Sequence, residues 1–198
     1  MKFLGYNPDD FEIMLLQMVT LLRDGQPVKM SKRTGQAVTL RELMDEVGTD
    51  AARYFFCART LDSQMDFDID LAKKQSSDNP VYYIQYAHAR IHSLFDQAKE
   101  AGVKWDPSFA GTDFSYLKEE CEFDLIKKME NYHQLLAGAA VERAPQRVAK
   151  YAYELAALFH HFYRECRILG VDAKTTEARL GLITAVQYVP VSYTHLTL

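Results

Sequence analysis

The chain contains 198 residues, 48% of them hydrophobic, and carries a net charge of −4 at pH 7. This length allows an ordinary buried core in one large or two small domains. No membrane span is predicted, because the longest apolar stretch, Glu12 to Leu22, falls short of the roughly 20 residues that a bilayer requires. The acidic balance argues against a general nucleic-acid binder, so any contact with RNA must be local.

The N-terminal residues and the cysteines predict a cytoplasmic protein. Met1 to Tyr6 lack the long apolar core and the cleavage site of a secretory signal. Cys57, Cys121 and Cys166 are far apart, odd in number and form no CxxC pair. We expect reduced structural thiols rather than disulfides or zinc ligands.

A β-hairpin is predicted early in the chain. Ile13 to Leu22 fits either a strand or a helix by its apolar pattern alone. The Asp24-Gly25 pair that follows is typical of a tight two-residue turn, because both residues tolerate positive φ. We therefore favour a hairpin that ends at Met30.

Two short helices and an extended segment are predicted next. Thr39 to Glu42 fits a capping box that begins a helix with one apolar face, and this helix ends at Gly48. A second helix is expected from Asp50 to about Arg59. The strict alternation from Met65 to Asp70 predicts an extended segment whose acidic side chains face water.

The rest of the chain predicts a helix bundle. Asn79-Pro80 suits the cap and the first position of a new helix, and we place a domain boundary there. Pro190 is expected to end the last helix at about Val189, which leaves residues 190–198 as a non-native tail. The four helical patterns are Val81 to Ala101, Glu122 to Arg143, Pro145 to Gly170 and Ala173 to Val189.

The loop from Lys29 to Gly35 combines three cations with two hydroxyls in one turn. Preplaced ammonium and guanidinium groups stabilise the negative charge that develops on departing phosphates during nucleotidyl transfer, and Lys32 is the strongest candidate. The alternative is a solvated basic hairpin tip, because short basic runs usually lie on the surface. A phosphate-cradling P-loop is excluded, since the residues after Gly25 do not fit that motif.

The segment Lys29-Met30-Ser31-Lys32-Arg33 resembles the Lys-Met-Ser-Lys-Ser signature of class I aminoacyl-tRNA synthetases, with arginine in the last place. From residue 3 to about residue 189 the chain is similar to the arginine–tRNA ligase family in particular. The segments that carry the similarity are Gln17 to Gly25, Gly48 to Phe55, Met65 to Ala72 and Asn79 to Ile91.

This resemblance implies a mainly α fold in two parts. Residues 1–78 would be the end of a class I α/β catalytic domain, with a β-hairpin, the signature loop and short helices. Residues 79–189 would form an α-helical anticodon-binding bundle. The family's other nucleotide signature, similar to His-Ile-Gly-His, and most of the arginine pocket would lie upstream of Met1, so we expect no catalysis by this chain alone.

The resemblance also implies an activity. In this family, ATP and arginine form arginyl-adenylate and pyrophosphate, and the terminal ribose of the tRNA then takes the arginyl group. ATP would be a substrate accompanied by Mg²⁺, and no tightly bound cofactor is expected. Lys29 and Lys32 would act catalytically at the triphosphate. The expected nucleotide-binding residues are Lys29, Met30, Ser31, Lys32 and Arg33.

The expected partner is tRNA(Arg), bound through its anticodon loop. Unpaired bases in RNA loops are recognised by stacking and by hydrogen bonds to their edges, and the resemblance indicates Tyr86 and Tyr163 for this role. The neighbouring His160 and His161 belong to the same aromatic cluster. We expect four further aromatic residues to fill the core instead. These are Tyr82, Tyr83, Phe159 and Phe162.

A basic track on the bundle is a further candidate for phosphate contacts, although solvated faces explain it equally well. Within it, Arg90 and Arg167 are the predicted RNA-binding residues. Its other members are Arg143, Arg147, Lys150 and Arg164. No metal site is predicted, since His88 and His92 lie four residues apart without a third ligand or an HExxH motif.

Two other functions are consistent with parts of the sequence. The first is a non-catalytic helical RNA-binding module that uses only the bundle from about Asn79 onward. It predicts RNA binding that does not depend on Lys29 or Lys32. The second is another class I synthetase, such as the cysteine enzyme, which joins a similar loop to a helical domain. The similarity from Tyr82 to Ile91 favours the arginine family.

Overall fold

The computed structural model describes residues 2–7, 9, 11–28 and 38–197, and their side chains except those of residues 2 and 189–197. Within this part, a small three-stranded sheet with short helices precedes a bundle of long helices. The prediction of a mainly α fold that begins with mixed α and β structure is confirmed. Among the described helices, none is both long and apolar enough to cross a bilayer.

The predicted hairpin is formed by β1 (Val19–Arg23) and β2 (Gln26–Pro27). Their antiparallel register leaves Asp24 and Gly25 as the two turn residues. Both have positive φ, 52° and 69°, which is the conformation that a tight hairpin turn requires. The backbone N–H of Asp24 donates to the carboxylate of Asp70 at 2.6 Å, so the turn is held against a later part of the chain.

The first strand begins later than predicted. Residues 11–18 have no regular structure and expose several large apolar side chains. β3 (Met65–Asp68) pairs with β1 in parallel, and this ladder starts at Val19. The interpretation of Ile13 to Leu22 as one strand is wrong in its first half. A strand needs a neighbouring strand for its hydrogen bonds, and an apolar pattern alone does not show where such a neighbour begins. Met30, the predicted end of the hairpin, lies outside the described residues.

The two predicted helices precede β3: α1 (Leu40–Val47) and α2 (Thr49–Cys57). The capping box of α1 is complete. Thr39 Oγ1 accepts the N–H of Glu42 at 3.2 Å, and the Glu42 carboxylate accepts the N–H of Thr39 at 2.7 Å. Gly48, with φ of 85°, separates the two helices by a single residue in a conformation that favours glycine.

The predicted extended segment from Met65 to Asp70 is shorter than expected. The Asp68 carboxylate accepts the N–H of Leu71 at 2.9 Å and caps α3 (Ile69–Lys73). Burial still alternates as predicted, because Phe67 in the strand and the first residue of the helix are both fully buried. Alternation over six residues did not reveal the change to helix, since a capping aspartate also fits the polar position of a strand.

α4 (Pro80–Glu100) starts at the predicted point. Asn79 Oδ1 accepts the N–H of Val81 at 3.0 Å, which caps the helix. Asn79 Nδ2 donates to the carbonyls of Ala72 and Lys74 at 3.0 and 2.9 Å. The Asn79 side chain is 4% exposed, and these three bonds satisfy the hydrogen-bonding groups of its amide. They also join the end of α3 to the start of α4.

The bundle has one more break than the helical pattern predicted. Glu122 to Arg143 forms two helices, α5 (Glu120–Glu130) and α6 (Tyr132–Val141), which meet at Asn131. A break of one residue leaves the apolar periodicity nearly unchanged, so periodicity alone cannot show it. α7 (Pro145–Glu165) follows and packs against α4, α5 and α6.

The last helix, α8 (Ala173–Thr197), continues past the predicted end at Val189. Pro190 therefore lies inside a helix, and the expectation that it ends the helix is wrong. Proline removes one backbone hydrogen bond and crowds the preceding turn at a cost of about 3 kcal/mol, but its fixed φ of about −65° is itself helical. The non-native origin of residues 190–198 remains a prediction.

A buried ion pair joins three parts of the bundle. The Glu122 side chain, with no exposed surface, accepts Arg179 Nε–H at 2.6 Å. Its second oxygen accepts the N–H groups of Lys118 and Glu119 at 2.7 and 2.8 Å, before the start of α5. Arg179 also donates to the carbonyl of Arg167 at 2.7 Å, after the end of α7. Both buried charges are thus hydrogen-bonded, as burial demands.

The cysteines are free thiols, as predicted. Cys121 and Cys166 are buried with their Sγ atoms 3.2 Å apart, whereas Cys57 is partly exposed. Burial, followed by the neighbouring Cys121 thiol, raises the pKa of Cys166 to about 12. Since the thiolate is the reactive form, Cys166 is chemically protected at neutral pH.

Removing the positive partner of the buried ion pair should destabilise the fold. The substitution Arg179→Met leaves the Glu122 charge buried without its partner, and we expect a loss of about 3–5 kcal/mol in the free energy of unfolding. Urea unfolding followed by circular dichroism measures this loss. Lys74→Met is the control, because it removes an exposed ion pair with Asp78 and should cost less than about 1 kcal/mol. Equal effects would show that burial of Glu122 is unimportant.

Thiol labelling should distinguish Cys57 from the other two cysteines. At about pH 8, a thiol reagent should modify one group quickly in the folded protein and all three after unfolding, because burial protects Cys121 and Cys166. The Cys57→Ser variant should lose the fast phase. Fast modification that survives in this variant would contradict the buried placement of the pair.

Candidate functional site

A groove of about 850 Å³ lies between α4 and α7. Three of the four predicted RNA-binding residues, Tyr86, Arg90 and Tyr163, line it together. The other lining residues are Ser77, Tyr82, Tyr83, His160 and Arg164. The groove therefore combines aromatic faces with two guanidinium groups, although the chain as a whole carries a net charge of −4.

Arg90 occupies the centre of this cluster. Its guanidinium carbon lies 4.5 Å from the ring centroid of Tyr86 and 4.4 Å from that of Tyr163. Its Nη2 donates to the Tyr86 hydroxyl at 2.7 Å. Such cation–π contacts each contribute about 0.5–1 kcal/mol at exposed sites. Arg90 thus links a tyrosine of α4 to one of α7 and is held in one orientation.

His160 contacts the same arginine from the floor of the groove. Its Nε2 lies 3.3 Å from the carbonyl oxygen of Tyr83, which can only accept a hydrogen bond. Nε2 therefore carries the proton, and Nδ1, 3.5 Å from Arg90 Nη1, is free to accept. Burial lowers the pKa of His160, the hydrogen bond to the Tyr83 carbonyl opposes this effect, and the Arg90 charge lowers the pKa further. The net decrease favours the neutral ring.

Of the four aromatic residues predicted to fill the core, Tyr82 lies in the groove instead, and Tyr83 both packs against the core and lines the groove. Tyr82 and Tyr83 are half-buried, and the rings of Tyr82 and Tyr86 are parallel within 4° at 6.2 Å. Phe159 and Phe162 are fully buried, as predicted. Helical spacing placed all four near the α4–α7 contact, but it could not show which side chains face the seam and which face the opening.

Arg167 lies outside this groove. It follows α7, is exposed, and its Nε donates to the carbonyl of Leu169 at 3.2 Å. It lines a neighbouring cleft of about 250 Å³ that also includes Tyr163. The structure therefore places Arg167 next to the groove but not among the residues that contact Arg90.

Most of the predicted basic track is paired with acidic side chains. Arg147 bonds Glu142 at 2.8 Å, and Lys150 lies 3.8 Å from Glu154. A third member pairs with an acid near the N-terminus, in the contact between Arg143 and Glu12. These ion pairs reduce the positive field of the track. Arg164 bonds its neighbour Glu165 at 3.0 Å and also lines the groove.

The predicted nucleotide-binding segment, Lys29 to Arg33, lies outside the described residues. Next to it in the sequence, β2 ends at Pro27 and α1 starts at Leu40. The predictions for Lys29 and Lys32 therefore rest on the sequence pattern.

His88 and His92 face each other on α4, with their Nε2 atoms 3.2 Å apart. Gln187 of α8 lies 3.1 Å from His92 Nε2. Burial and the neighbouring His92 lower the pKa of His88. Among the described residues, no group of three or more His, Cys, Asp or Glu side chains is arranged to hold a metal ion.

Proteins that bind unpaired RNA bases commonly stack them on aromatic side chains and on arginine guanidinium groups. Residues 84–190, more than half of the chain, match the family described as the DALR anticodon binding domain. The chain belongs to this family. Five of the eight residues that line the groove lie in the matched range, among them Tyr86, Arg90 and Tyr163, whereas Ser77, Tyr82 and Tyr83 precede it.

Similar proteins are named arginine–tRNA ligase. The enzyme of Desulforamulus reducens is 50% identical over 189 residues, which are 96% of this chain and 34% of that protein. The enzyme of Staphylococcus carnosus is 51% identical over 183 residues, or 92% and 32% of the two chains. The chain thus spans about a third of the length of these curated relatives.

Solved structures show the same fold. A Campylobacter jejuni protein assigned as an arginyl-tRNA synthetase superposes with a TM-score of 0.80 at 35% identity, covering 98% of this chain and 41% of that one. The arginyl-tRNA synthetase of Thermus thermophilus has a TM-score of 0.69 at 23% identity, covering 90% and 33%. At that identity the second match supports the fold alone.

Proposed function

We propose that the chain serves arginine–tRNA ligation. In this proposal, residues 79–189 bind the anticodon loop of tRNA(Arg) through the groove between α4 and α7. Residues 1–78 contribute to ATP handling, with Lys29 and Lys32 at the triphosphate. Membership of the anticodon-binding family and relatives that are named arginine–tRNA ligase at about 50% identity support it.

The observation that carries the RNA-binding part is the position of Arg90 over two tyrosine rings. An unpaired base can stack on an aromatic face, and each such contact contributes about 1–3 kcal/mol. Tyr86 is 44% exposed, so part of its surface is accessible to a base. A guanidinium group presents several N–H donors in one plane, which suits both base edges and phosphate oxygens.

The local charge of the groove agrees with a local RNA contact. Arg90 and Arg164 line it. Arg90 contacts aromatic rings, whereas Arg164 also bonds Glu165 at 3.0 Å. Because phosphate contacts release bound counterions, binding through two arginines should weaken as salt increases. Few such contacts are available, so the aromatic residues would contribute much of the affinity.

The ATP part rests on the loop from Lys29 to Arg33 and on its resemblance to the class I signature. Arginine activation expels pyrophosphate, and negative charge increases on the departing oxygens. A lysine ammonium near those oxygens stabilises the transition state more than the ground state. ATP, accompanied by Mg²⁺, and arginine would be the two substrates of this activation step, and the tRNA would be the substrate of the next. Lys32 is proposed as the principal catalytic residue of this loop, with Lys29 beside it.

A non-catalytic RNA-binding module is the second candidate. It is favoured by one observation: apart from Ser77, all residues that line the groove belong to α4 and α7, and none comes from residues 1–76. The two candidates share the RNA-binding step and differ in whether ATP and arginine are used. The cysteine enzyme is disfavoured, because the relatives described above are arginine–tRNA ligases at about 50% identity.

Truncating the groove tyrosines should weaken RNA binding. We expect Tyr86→Ala and Tyr163→Ala each to lower the affinity for the anticodon stem–loop of tRNA(Arg) about 5- to 100-fold, through loss of stacking and of the Arg90 contact. Fluorescence anisotropy at two salt concentrations measures this change. Tyr188→Ala is the control, since Tyr188 is 63% exposed and does not line the groove. Unchanged affinity in both groove variants would refute the RNA-binding part.

Changing Lys32 should slow ligation without weakening RNA binding. In a full-length arginine–tRNA ligase that carries this sequence, Lys32→Ala should reduce ATP-dependent arginylation about 100-fold or more, because the transition state loses one charge contact. The affinity for tRNA should stay unchanged. Arg41→Ala provides a control with a charge deleted nearby. Full activity of the Lys32 variant would exclude its catalytic role and favour the module.

A further inference from the structure

We propose that His160, in its neutral form, is a positioning residue that sets Arg90 for binding an unpaired nucleobase in the groove. This inference rests on the proposed RNA-binding function and assigns a role to a side chain that need not touch the base itself. It explains how Arg90, which is partly exposed, is held in one orientation before RNA binds.

The contacts of His160 connect the floor of the groove to its binding face. On one side, Nε2–H donates to the carbonyl of Tyr83 at 3.3 Å, which fixes the rotation of the ring. On the other side, Nδ1 lies 3.5 Å from Arg90 Nη1, at the outer limit of a hydrogen bond. The ring also stacks against Tyr86, with 5.6 Å between centroids and 28° between planes.

Arg90 therefore has three supports: the Tyr86 ring and hydroxyl, the Tyr163 ring, and His160. The two tyrosine rings contact the guanidinium group, and the Tyr86 hydroxyl and His160 contact two different nitrogens of it, Nη2 and Nη1. An arginine carries about 2 kcal/mol of side-chain entropy when free, and a guanidinium fixed in advance loses less of it on binding. Removing the His160 contact should leave the Arg90 guanidinium group in the groove but less well oriented.

The neutral state of His160 is part of this arrangement. A protonated ring has no lone pair at Nδ1 to accept from Arg90, and it would place a second positive charge next to the guanidinium. The titratable groups that line the groove with it are Tyr82, Tyr83, Tyr86 and Arg90 from α4, and Tyr163 and Arg164 from α7. One carboxylate lies next to this lining, because Glu165 bonds Arg164 at 3.0 Å, and His161 contacts both side chains. The inference therefore predicts weaker RNA binding on acidification, as His160 becomes charged.

The direct test compares two substitutions in the whole chain. His160→Phe keeps a ring that can pack on Tyr83 and Tyr86 but removes both nitrogen contacts. We expect it to weaken binding of the anticodon stem–loop of tRNA(Arg) about 5- to 10-fold, the effect of losing one modest hydrogen bond. His160→Gln can donate to the Tyr83 carbonyl and accept from Arg90, so it should restore affinity to within about threefold of the original.

Combining variants separates this inference from the proposed function. Arg90→Ala should weaken binding by itself, and adding His160→Phe to it should cause no further loss, because His160 acts through Arg90. If Arg90→Ala has no effect, the proposed RNA-binding function fails. If Arg90→Ala weakens binding and His160→Phe does not, only the role of His160 fails. His133→Phe, an exposed histidine of α6, is the matched control.

The pH profile tests the same role when His160→Phe does not fold. Affinity of the original chain should fall as the pH decreases below about 6.5, because the pKa of His160 lies below its usual value, whereas His160→Gln should lack this additional fall. Thermal unfolding at each pH shows that both proteins remain folded. A parallel decrease in the two proteins would overturn the inference, because the titrating group would then be in the RNA or elsewhere in the chain.

Discussion

The arrangement of the bundle depends on one buried charge. Glu122 binds Arg179 and two backbone N–H groups while remaining fully buried. Because an unpaired buried carboxylate is very unfavourable, α5 and α8 can approach only where Arg179 reaches it. Arg179 also holds the carbonyl of Arg167, just beyond α7. The same interaction therefore anchors the end of the helix that carries His160 and Tyr163.

The groove is a consequence of how α4 and α7 meet. Their seam is closed by fully buried side chains such as Phe159 and Ile91, while half-buried tyrosines remain at the surface beside it. Burial of the large apolar residues supplies the stability. The amphipathic tyrosines, with a polar hydroxyl on an apolar ring, are left at the boundary with water. Rigid packing below and aromatic faces above suit the RNA contact proposed for this groove.

Charge is distributed so that an acidic protein can present a basic site. Several cations of the bundle are paired with carboxylates, as in Arg147 with Glu142. Arg90 is paired instead with aromatic rings, which stabilise a cation without neutralising it. Its charge therefore remains available to a phosphate or a base edge. A net charge of −4 is consistent with local RNA binding for this reason.

The sequence by itself determined the elements with local causes: the Asp24-Gly25 turn, the Thr39 capping box, the Asn79 cap and the long helices. It also indicated Tyr86, Arg90 and Tyr163 through their pattern and family resemblance. Only the tertiary structure decided that Tyr82 and Tyr83 line the groove, that α8 continues past Pro190, and that Arg167 lies apart. Turns and caps depend on neighbouring residues, whereas the exposure of one helical face depends on where a distant helix packs.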